Sequence, residues 1–73
     1  MENKKPNDVV LYDVKEVATL LKTNVDYVHK LRKSGLLRFI KIGQFKVRQE
    51  TLAKFLSDYE GFDLTNPSLV TPL

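Results

Sequence analysis

Between Leu11 and Leu21 the apolar positions recur every three or four residues, which is the spacing of one face of an α-helix. The apolar series is Val14, Val17, Ala18 and Leu21. Asp13 immediately precedes this series, and Glu16 follows three residues later. In this capping-box spacing, the Asp13 side chain accepts from the backbone N–H of Glu16 while the Glu16 side chain reaches back to the N–H of Asp13. The pattern therefore predicts a capped helix of about two turns.

A second helix is predicted directly after the first. Asn24 is a favourable N-cap, Val28 and Leu31 lie three apart on one face, and Ser34-Gly35 is typical of a helix end. Only about three residues separate the two helices, and a turn that short forces the sharp crossing of a helix-turn-helix. Lys22 occupies the turn position where glycine is common, so we expect strained backbone there.

After Gly35 the apolar spacing changes from the helical period to alternation, which predicts a β-hairpin. Gly43-Gln44 separates the two alternating runs, and glycine at the first position of a two-residue loop suits a type II′ turn. With that turn, the face covering the helices consists of Ile40, Ile42, Phe45 and Val47. The opposite face consists of Phe39, Lys41, Lys46 and Arg48.

Helical spacing returns in the last third of the chain. The expected core positions there are Leu52, Phe55, Leu56 and Tyr59, and Gly61 is a predicted stop. The order of elements predicts an α+β fold, a small winged helix-turn-helix with a two-stranded hairpin wing and a C-terminal helix. Residues 1–10 are expected to form a flexible leader, 11–60 the domain and 61–73 an irregular tail.

Charge is distributed unevenly along the 73 residues, although the formal net charge is only +3. The segment from Lys22 to Arg48 carries eight cationic side chains and one carboxylate, whereas both flanking segments are net acidic. Such a block favours a polyanionic partner, and nucleic acid over membrane, because the charges alternate with core positions and no hydrophobic anchor accompanies them. A basic but merely solvated surface is the alternative.

Several functional classes are disfavoured by what the sequence contains. Cysteine is absent and His29 is the single histidine, so we expect no metal site. Neither a nucleophile–base pair nor a phosphate-binding loop is recognisable, so we expect neither an enzyme nor a cofactor. The chain lacks an apolar run of membrane-spanning length, and Met1 to Val10 has no signal-peptide core, so a cytoplasmic location is expected.

The polar side of the second helix is the strongest candidate for a binding surface. At about 100° per residue, the side opposite Val28 and Leu31 carries four polar residues. They are Asp26, His29, Lys30 and Lys33. A recognition helix directs such residues toward base edges while flanking cations hold phosphates.

Each residue on or beside this helix has a candidate role and an alternative. Val25 can touch a thymine methyl group, Asp26 can accept from cytosine, and His29 can bond guanine or a phosphate. The flexible ammonium groups of Lys30, Lys33 and Lys46 suit phosphate. The alternatives are that Asn24 caps the helix, that Tyr27 packs at the rim, that Asp26 complements the helix N-terminus, and that His29 is an ordinary surface residue.

The segments LYDVKEVATLL, VHKLRKSGLL, FIKIG and KVRQETLAKFL resemble the excisionase-type DNA-binding domains related to the MerR superfamily. The resemblance spans about Leu11 to Tyr59. It implies that the second helix enters the major groove and that the hairpin wing touches the backbone or the minor groove. It also implies a role in the direction of phage, plasmid or transposon recombination, or in transcription control.

We therefore expect a non-enzymatic, sequence-specific DNA-binding protein that acts as an architectural factor in site-specific recombination of a mobile element. The alternatives are a small transcriptional regulator and a winged-helix module that binds an acidic protein. Expected partners are double-stranded DNA, a recombinase and neighbouring copies of the chain, with the tail from Glu60 to Leu73 as a candidate protein contact. The candidate DNA-binding residues are Asn24, Val25, Asp26, Tyr27, His29, Lys30, Lys33, Lys41, Lys46 and Arg48.

Overall fold

Three helices and two small antiparallel sheets make up the computed structural model, which describes residues 9–73. The elements are β1 (Leu11–Asp13), α1 (Val14–Leu20), α2 (Val25–Ser34), β2 (Ile40–Ile42), β3 (Gln44–Arg48), α3 (Gln49–Asp58), β4 (Phe62–Asp63) and β5 (Thr71–Pro72). This α+β architecture is compatible with the expected helix-turn-helix. Apart from Val9 and Val10, the predicted leader 1–10 lies outside the described residues.

The ends of α1 and α2 are fixed by local hydrogen bonds. The backbone N–H of Glu16 donates to Asp13 Oδ1 at 2.8 Å, and the N–H of Asp13 donates to Glu16 Oε1 at 2.9 Å, so the predicted capping box is confirmed. Asn24 caps α2 by accepting from the N–H of Tyr27 at 2.8 Å. Gly35 ends α2 in the left-handed conformation, with φ of 82°.

The turn between α1 and α2 contains the strained backbone that the sequence predicts. Lys22 has a φ of 57°, the single positive value among the non-glycine residues from 9 to 73. The N–H of Lys22 donates to the carbonyl of Thr19 at 3.1 Å, and the N–H of Thr23 donates to that of Ala18 at 2.8 Å. These hydrogen bonds stabilise the tight turn between α1 and α2.

The hairpin register differs from the predicted one. Ile42 pairs with Gln44 across Gly43 alone, which has a φ of 70°, so the connection is one residue rather than two. Because side chains alternate along a strand, a shift of one residue moves every β2 side chain to the other face relative to β3. Ile40 and Ile42 therefore lie on the outer face of the sheet, 45% and 61% exposed, and the prediction that they cover the helices is wrong.

The central strand β3 joins the hairpin to the start of α1. It pairs with β2 on one side and with β1 on the other, where Tyr12 lies opposite Val47. Strand β1 was not predicted from the sequence. The buried core consists of Val17, Ala18, Val28, Leu31, Leu37, Val47, Leu52 and Phe55. Leu56 is 48% exposed, so its assignment to the core is wrong. Tyr59 is partly buried and packs against the core.

The tail contains regular pairing, which corrects the expectation of an irregular segment. β4 and β5 form a short antiparallel ladder, and the N–H of Leu73 donates to the carbonyl of Gly61 at 2.9 Å. Leu64 packs against the core and Pro67 is buried. The loop between β4 and β5 is therefore held against the body of the domain.

Candidate nucleic-acid interface

The outward side of α2 forms a cationic surface over a fully buried apolar face. Val28 and Leu31 are 0% exposed, which fixes the rotation of the helix about its axis. On the outward side, Lys30 and Lys33 are exposed, whereas His29 is half-buried. A shallow concavity there is lined by Asp26, His29, Lys30, Arg32 and Lys33. The four residues assigned to this side from sequence are therefore brought together, and Arg32 joins them.

Phe45 connects α2 to the hairpin. The guanidinium carbon of Arg32 lies 4.0 Å from the centroid of the Phe45 ring, and the ammonium nitrogen of Lys41 lies 4.9 Å from it. The rings of His29 and Phe39 each approach Phe45 edge-on at 6.3 Å between centroids. Cations near an aromatic face are attracted by its quadrupole, so Phe45 holds two positive charges beside the outward side of α2.

His29 takes part in this cluster through its ring nitrogen as well. Arg32 Nε donates to His29 Nδ1 at 3.4 Å, a long hydrogen bond between residues three apart on α2. In a neutral imidazole whose Nδ1 accepts, the N–H is on Nε2. His29 can thus present a donor from an orientation set by Arg32 and Phe45.

The cations of the hairpin do not share one face. Lys41 pairs with Phe45 and lies on the same side of the sheet as Val47, whereas Lys46 pairs with Asp13 and Ile40 on the outer side. Arg48 also lies on the outer side, opposite Leu11. The expectation that Lys41, Lys46 and Arg48 share a face is wrong, because the one-residue connection at Gly43 sets the register.

Two of the candidate residues are engaged within the protein. The Asn24 side chain is the N-cap of α2, in agreement with the capping alternative. The Tyr27 hydroxyl donates to the carbonyl oxygen of Leu64 in the tail. Burial raises the pKa of Tyr27 above its ordinary value, and the negative charge of Asp63 adds to the effect. The neutral phenol therefore joins α2 to the tail instead of facing outward.

The first turn of α2 exposes the remaining candidates. Val25 and Asp26 are exposed at the end of the helix that follows the tight turn. Asp26 lies in the first turn, where a carboxylate complements the positive end of the helix dipole. Asp26 lines the concavity on the outward side, and Val25 is exposed beside it.

Sequence reasoning missed Arg32 and Phe45 as members of the interface. Arg32 lies next to the buried stripe of α2 on a helical projection, and Phe45 was expected to cover the helices together with Ile40 and Ile42. The signal in the sequence was the alternation of Phe39, Lys41 and Phe45, which places them on one face once Gly43 alone forms the connection.

Other kinds of site find little support in the part of the chain that the structure describes. Across residues 9–73, no three His, Asp or Glu side chains come close enough together to hold a metal ion. None of the helices in this range combines the length and apolar character needed to cross a bilayer.

Comparison with known proteins adds one finding. A family model described as a helix-turn-helix domain matches residues 11–59, which include α1, α2, the hairpin and α3. Searches of curated proteins and of solved structures give no match.

Proposed function

Because the chain belongs to the helix-turn-helix domain family, which implies sequence-specific DNA binding, we propose that it is an excisionase-type architectural factor for site-specific recombination of a mobile element. The observation that carries this proposal is the cationic outward side of α2, with Lys30 and Lys33 exposed over a fully buried Val28 and Leu31. The α2 helix is the segment that enters DNA.

The dimensions of α2 suit the major groove. An α-helix with its side chains is about 10–12 Å across, and the major groove of B-DNA is about 12 Å wide. With the first turn of α2 leading into the groove, Val25, Asp26 and His29 are the proposed base contacts. Val25 meets a thymine methyl group, Asp26 accepts from a cytosine amino group, and His29 donates from Nε2 to guanine or to a phosphate.

Phosphate contacts come from the cations around this surface. Lys30 and Lys33 reach the backbone as flexible point charges, which demand little directionality. On the hairpin side, Lys41 is held beside Phe45 and contacts the same duplex as α2. Lys46 and Arg48 lie on the outer sheet face and act mainly by long-range attraction of the polyanion.

The proposed role is architectural because a domain of this size reads few bases. A domain of this size contacts a short site, so useful specificity requires repeated sites or neighbouring copies. Copies bound side by side bend or mark the DNA for a recombinase, which is the proposed protein partner.

Salt dependence of duplex binding tests the DNA-binding part of the proposal. Removing one phosphate ligand makes the slope of log affinity against log salt shallower by about 0.9. We expect Lys30→Ala and Lys33→Ala each to weaken all sequences alike and to change the slope by about that amount. Lys54→Ala is the matched control, since Lys54 lies on α3 and pairs with Asp58 at 2.9 Å.

The recombination part requires a second assay. With the cognate recombinase, wild-type protein is expected to promote excision, and the Lys30→Ala/Lys33→Ala protein is expected to lose this effect. A change in transcript level without any change in recombination products would identify a transcriptional regulator instead. Equal binding of duplex by the Lys30, Lys33 and Lys54 variants would favour a protein-interaction module.

A further inference from the structure

A second concavity lies on the other flank of α2, between the helix and the tail. It is lined by Lys30, Lys33, Ser34, Asn66, Pro67 and Ser68. Two of these residues are cations, three are neutral and polar, and none is a carboxylate. The loop from Leu64 to Val70 carries no charged residue at all. The lining therefore favours an anion, whereas the concavity along the outward side of α2 includes Asp26.

The loop that forms this concavity is fixed in place by contacts on both sides. The Tyr27 hydroxyl donates to the carbonyl of Leu64, and Pro67 is buried. The N–H of Ser68 donates to Asn66 Oδ1 at 3.0 Å, and the N–H of Leu69 donates to the carbonyl of Asn66 at 2.8 Å. Because the Asn66 oxygen takes part in this turn, the amide's NH2 group is the part that can donate to a ligand.

The tail and the hairpin lie on opposite flanks of α2. At about 100° per residue from Val28, the hairpin contacts Arg32 and His29 at about 40° and 100°. On the tail side, Tyr27 bonds Leu64 and Ser34 lines the concavity, at about 260° and 240°. The outward direction, opposite the buried face, is at about 150°, so the two flanks are roughly equally inclined to it.

A helix that fills the major groove has a phosphodiester strand on either side of it. On the hairpin side, Lys41 is placed to meet one strand. On the tail side, the exposed Asn66 and Ser68 extend the surface that begins with Lys30 and Lys33. Neutral amide and hydroxyl groups are common donors to phosphate oxygens in protein–DNA interfaces.

We propose that the tail loop at Asn66 and Ser68, together with Lys30 and Lys33, binds a backbone phosphate of the DNA strand that flanks α2 opposite the hairpin. This inference rests on the proposed DNA-binding function and extends the interface beyond residues 11–59 of the helix-turn-helix match. The Asn66 NH2 group and the Ser68 hydroxyl donate to the phosphate oxygens, and the two ammonium groups neutralise it.

Substitutions in the full chain test this site with a mixed-sequence duplex, since phosphate contacts need no particular sequence. Asn66→Asp keeps the oxygen that accepts from Ser68 but replaces the NH2 donor with a negative charge. We expect it to weaken binding about tenfold or more. Ser57→Asp is the matched control for added charge, because Ser57 is exposed on α3 and lines neither concavity along α2. It is expected to weaken binding much less.

Ser68→Ala and Ser68→Lys provide the second measurement. Ser68→Ala removes a neutral donor, so we expect about threefold weaker binding with an unchanged salt slope. Ser68→Lys adds a cation at the phosphate, so we expect tighter binding and a steeper slope, whereas Ser57→Lys changes both less. Hydrogen exchange of the amides from 62 to 73 in each variant checks that the loop is retained.

The outcomes separate this inference from the function on which it rests. If Asn66→Asp and Ser57→Asp weaken binding equally and Ser68→Ala binds like wild type, while Lys30→Ala still makes the slope shallower, the tail contact is overturned and DNA binding stands. If wild-type protein shows no salt-dependent affinity for duplex, both the proposed function and the tail contact fail.

Discussion

The guanidinium carbon of Arg32 lies 4.0 Å from the centroid of the Phe45 ring, so a cation of α2 packs on an aromatic residue of the hairpin. The contact joins two residues thirteen positions apart in sequence, and it packs the hairpin beside the outward side of α2. Arg32 Nε also donates to His29 Nδ1, and the His29 ring approaches Phe45 edge-on. The Phe45 ring therefore contacts both Arg32 and His29 on this flank of α2.

A double-mutant cycle measures the Arg32–Phe45 contact. Arg32→Met keeps the aliphatic stem without the charge, and Phe45→Leu keeps an apolar side chain without the ring quadrupole. We expect a coupling free energy of about 0.5–1 kcal/mol, the range for exposed cation–π pairs. Urea unfolding of the four proteins gives this value. Effects that add to within about 0.3 kcal/mol would show that the two side chains do not interact.

Tyr27→Phe tests whether the Tyr27 hydroxyl serves the tail or the DNA. The substitution removes the donor to the Leu64 carbonyl, and we expect a decrease of about 0.5–1.5 kcal/mol in the free energy of unfolding. Hydrogen exchange of the amides from 62 to 73 should become faster. Unchanged exchange in the tail together with weaker DNA binding would instead assign the Tyr27 hydroxyl to the DNA interface.

The ends of α1 and α2 were predictable because they depend on residues close together in sequence. Asp13 with Glu16, Asn24 with Tyr27, and Gly35 each act within about one helical turn. Propensity and capping rules describe interactions of that range. The strain at Lys22 was predictable for the same reason, since Lys22 occupies the turn position where glycine is common and has a φ of 57°.

The hairpin register was not predictable from local pattern. The run from Ile40 to Val47 alternates equally well around a one-residue or a two-residue connection. Contacts of β2 distinguish the two: Lys41 and Phe39 lie against Phe45, so they share its face in place of Ile40 and Ile42. A strand of three residues such as β1 carries too short a pattern to be recognised, and the same is true of the two-residue strands of the tail.

Lys22→Gly is expected to stabilise the protein. Lys22 has a φ of 57°, where a Cβ atom is strained and glycine is not. Relief of the strain exceeds the entropy that glycine adds to the unfolded chain, so we expect a gain of about 0.5–1 kcal/mol in urea unfolding. Lys22→Ala is the control, because it removes the same charge but keeps the Cβ atom. Equal stability of the two variants would contradict the strain at this position.

The pKa of Asp63 depends on hydrogen bonds within the tail. Hydrogen bonds from the Thr65 hydroxyl, at 2.6 Å, and from the Thr65 N–H, at 2.9 Å, lower the pKa of Asp63 below its ordinary value. The hydrogen bonds favour the charged carboxylate in the folded state. Their contribution to stability is therefore present above the ordinary pKa of Asp63 and is lost as the pH falls through its lower pKa in the folded state.

Thr65→Ala should move the pKa of Asp63 upward, toward its ordinary value, because it removes the hydroxyl donor and keeps the N–H. Thr65→Ser retains a hydroxyl and should leave the titration close to that of wild type. An NMR titration of the Asp63 carboxyl carbon measures the midpoint directly. The same midpoint in wild type and Thr65→Ala would mean that the hydroxyl contact is not maintained in solution.

The most direct test of DNA recognition by α2 is an NMR titration of isotopically labelled protein with duplex DNA at low ionic strength. We predict amide shifts concentrated between Val25 and Lys33, with further shifts at Lys41 and Phe45, and small changes along the exposed side of α3 from Glu50 to Asp58. If no amide between Asn24 and Arg48 shifts, or if the shifts are confined to α3, α2 is not the helix that binds DNA.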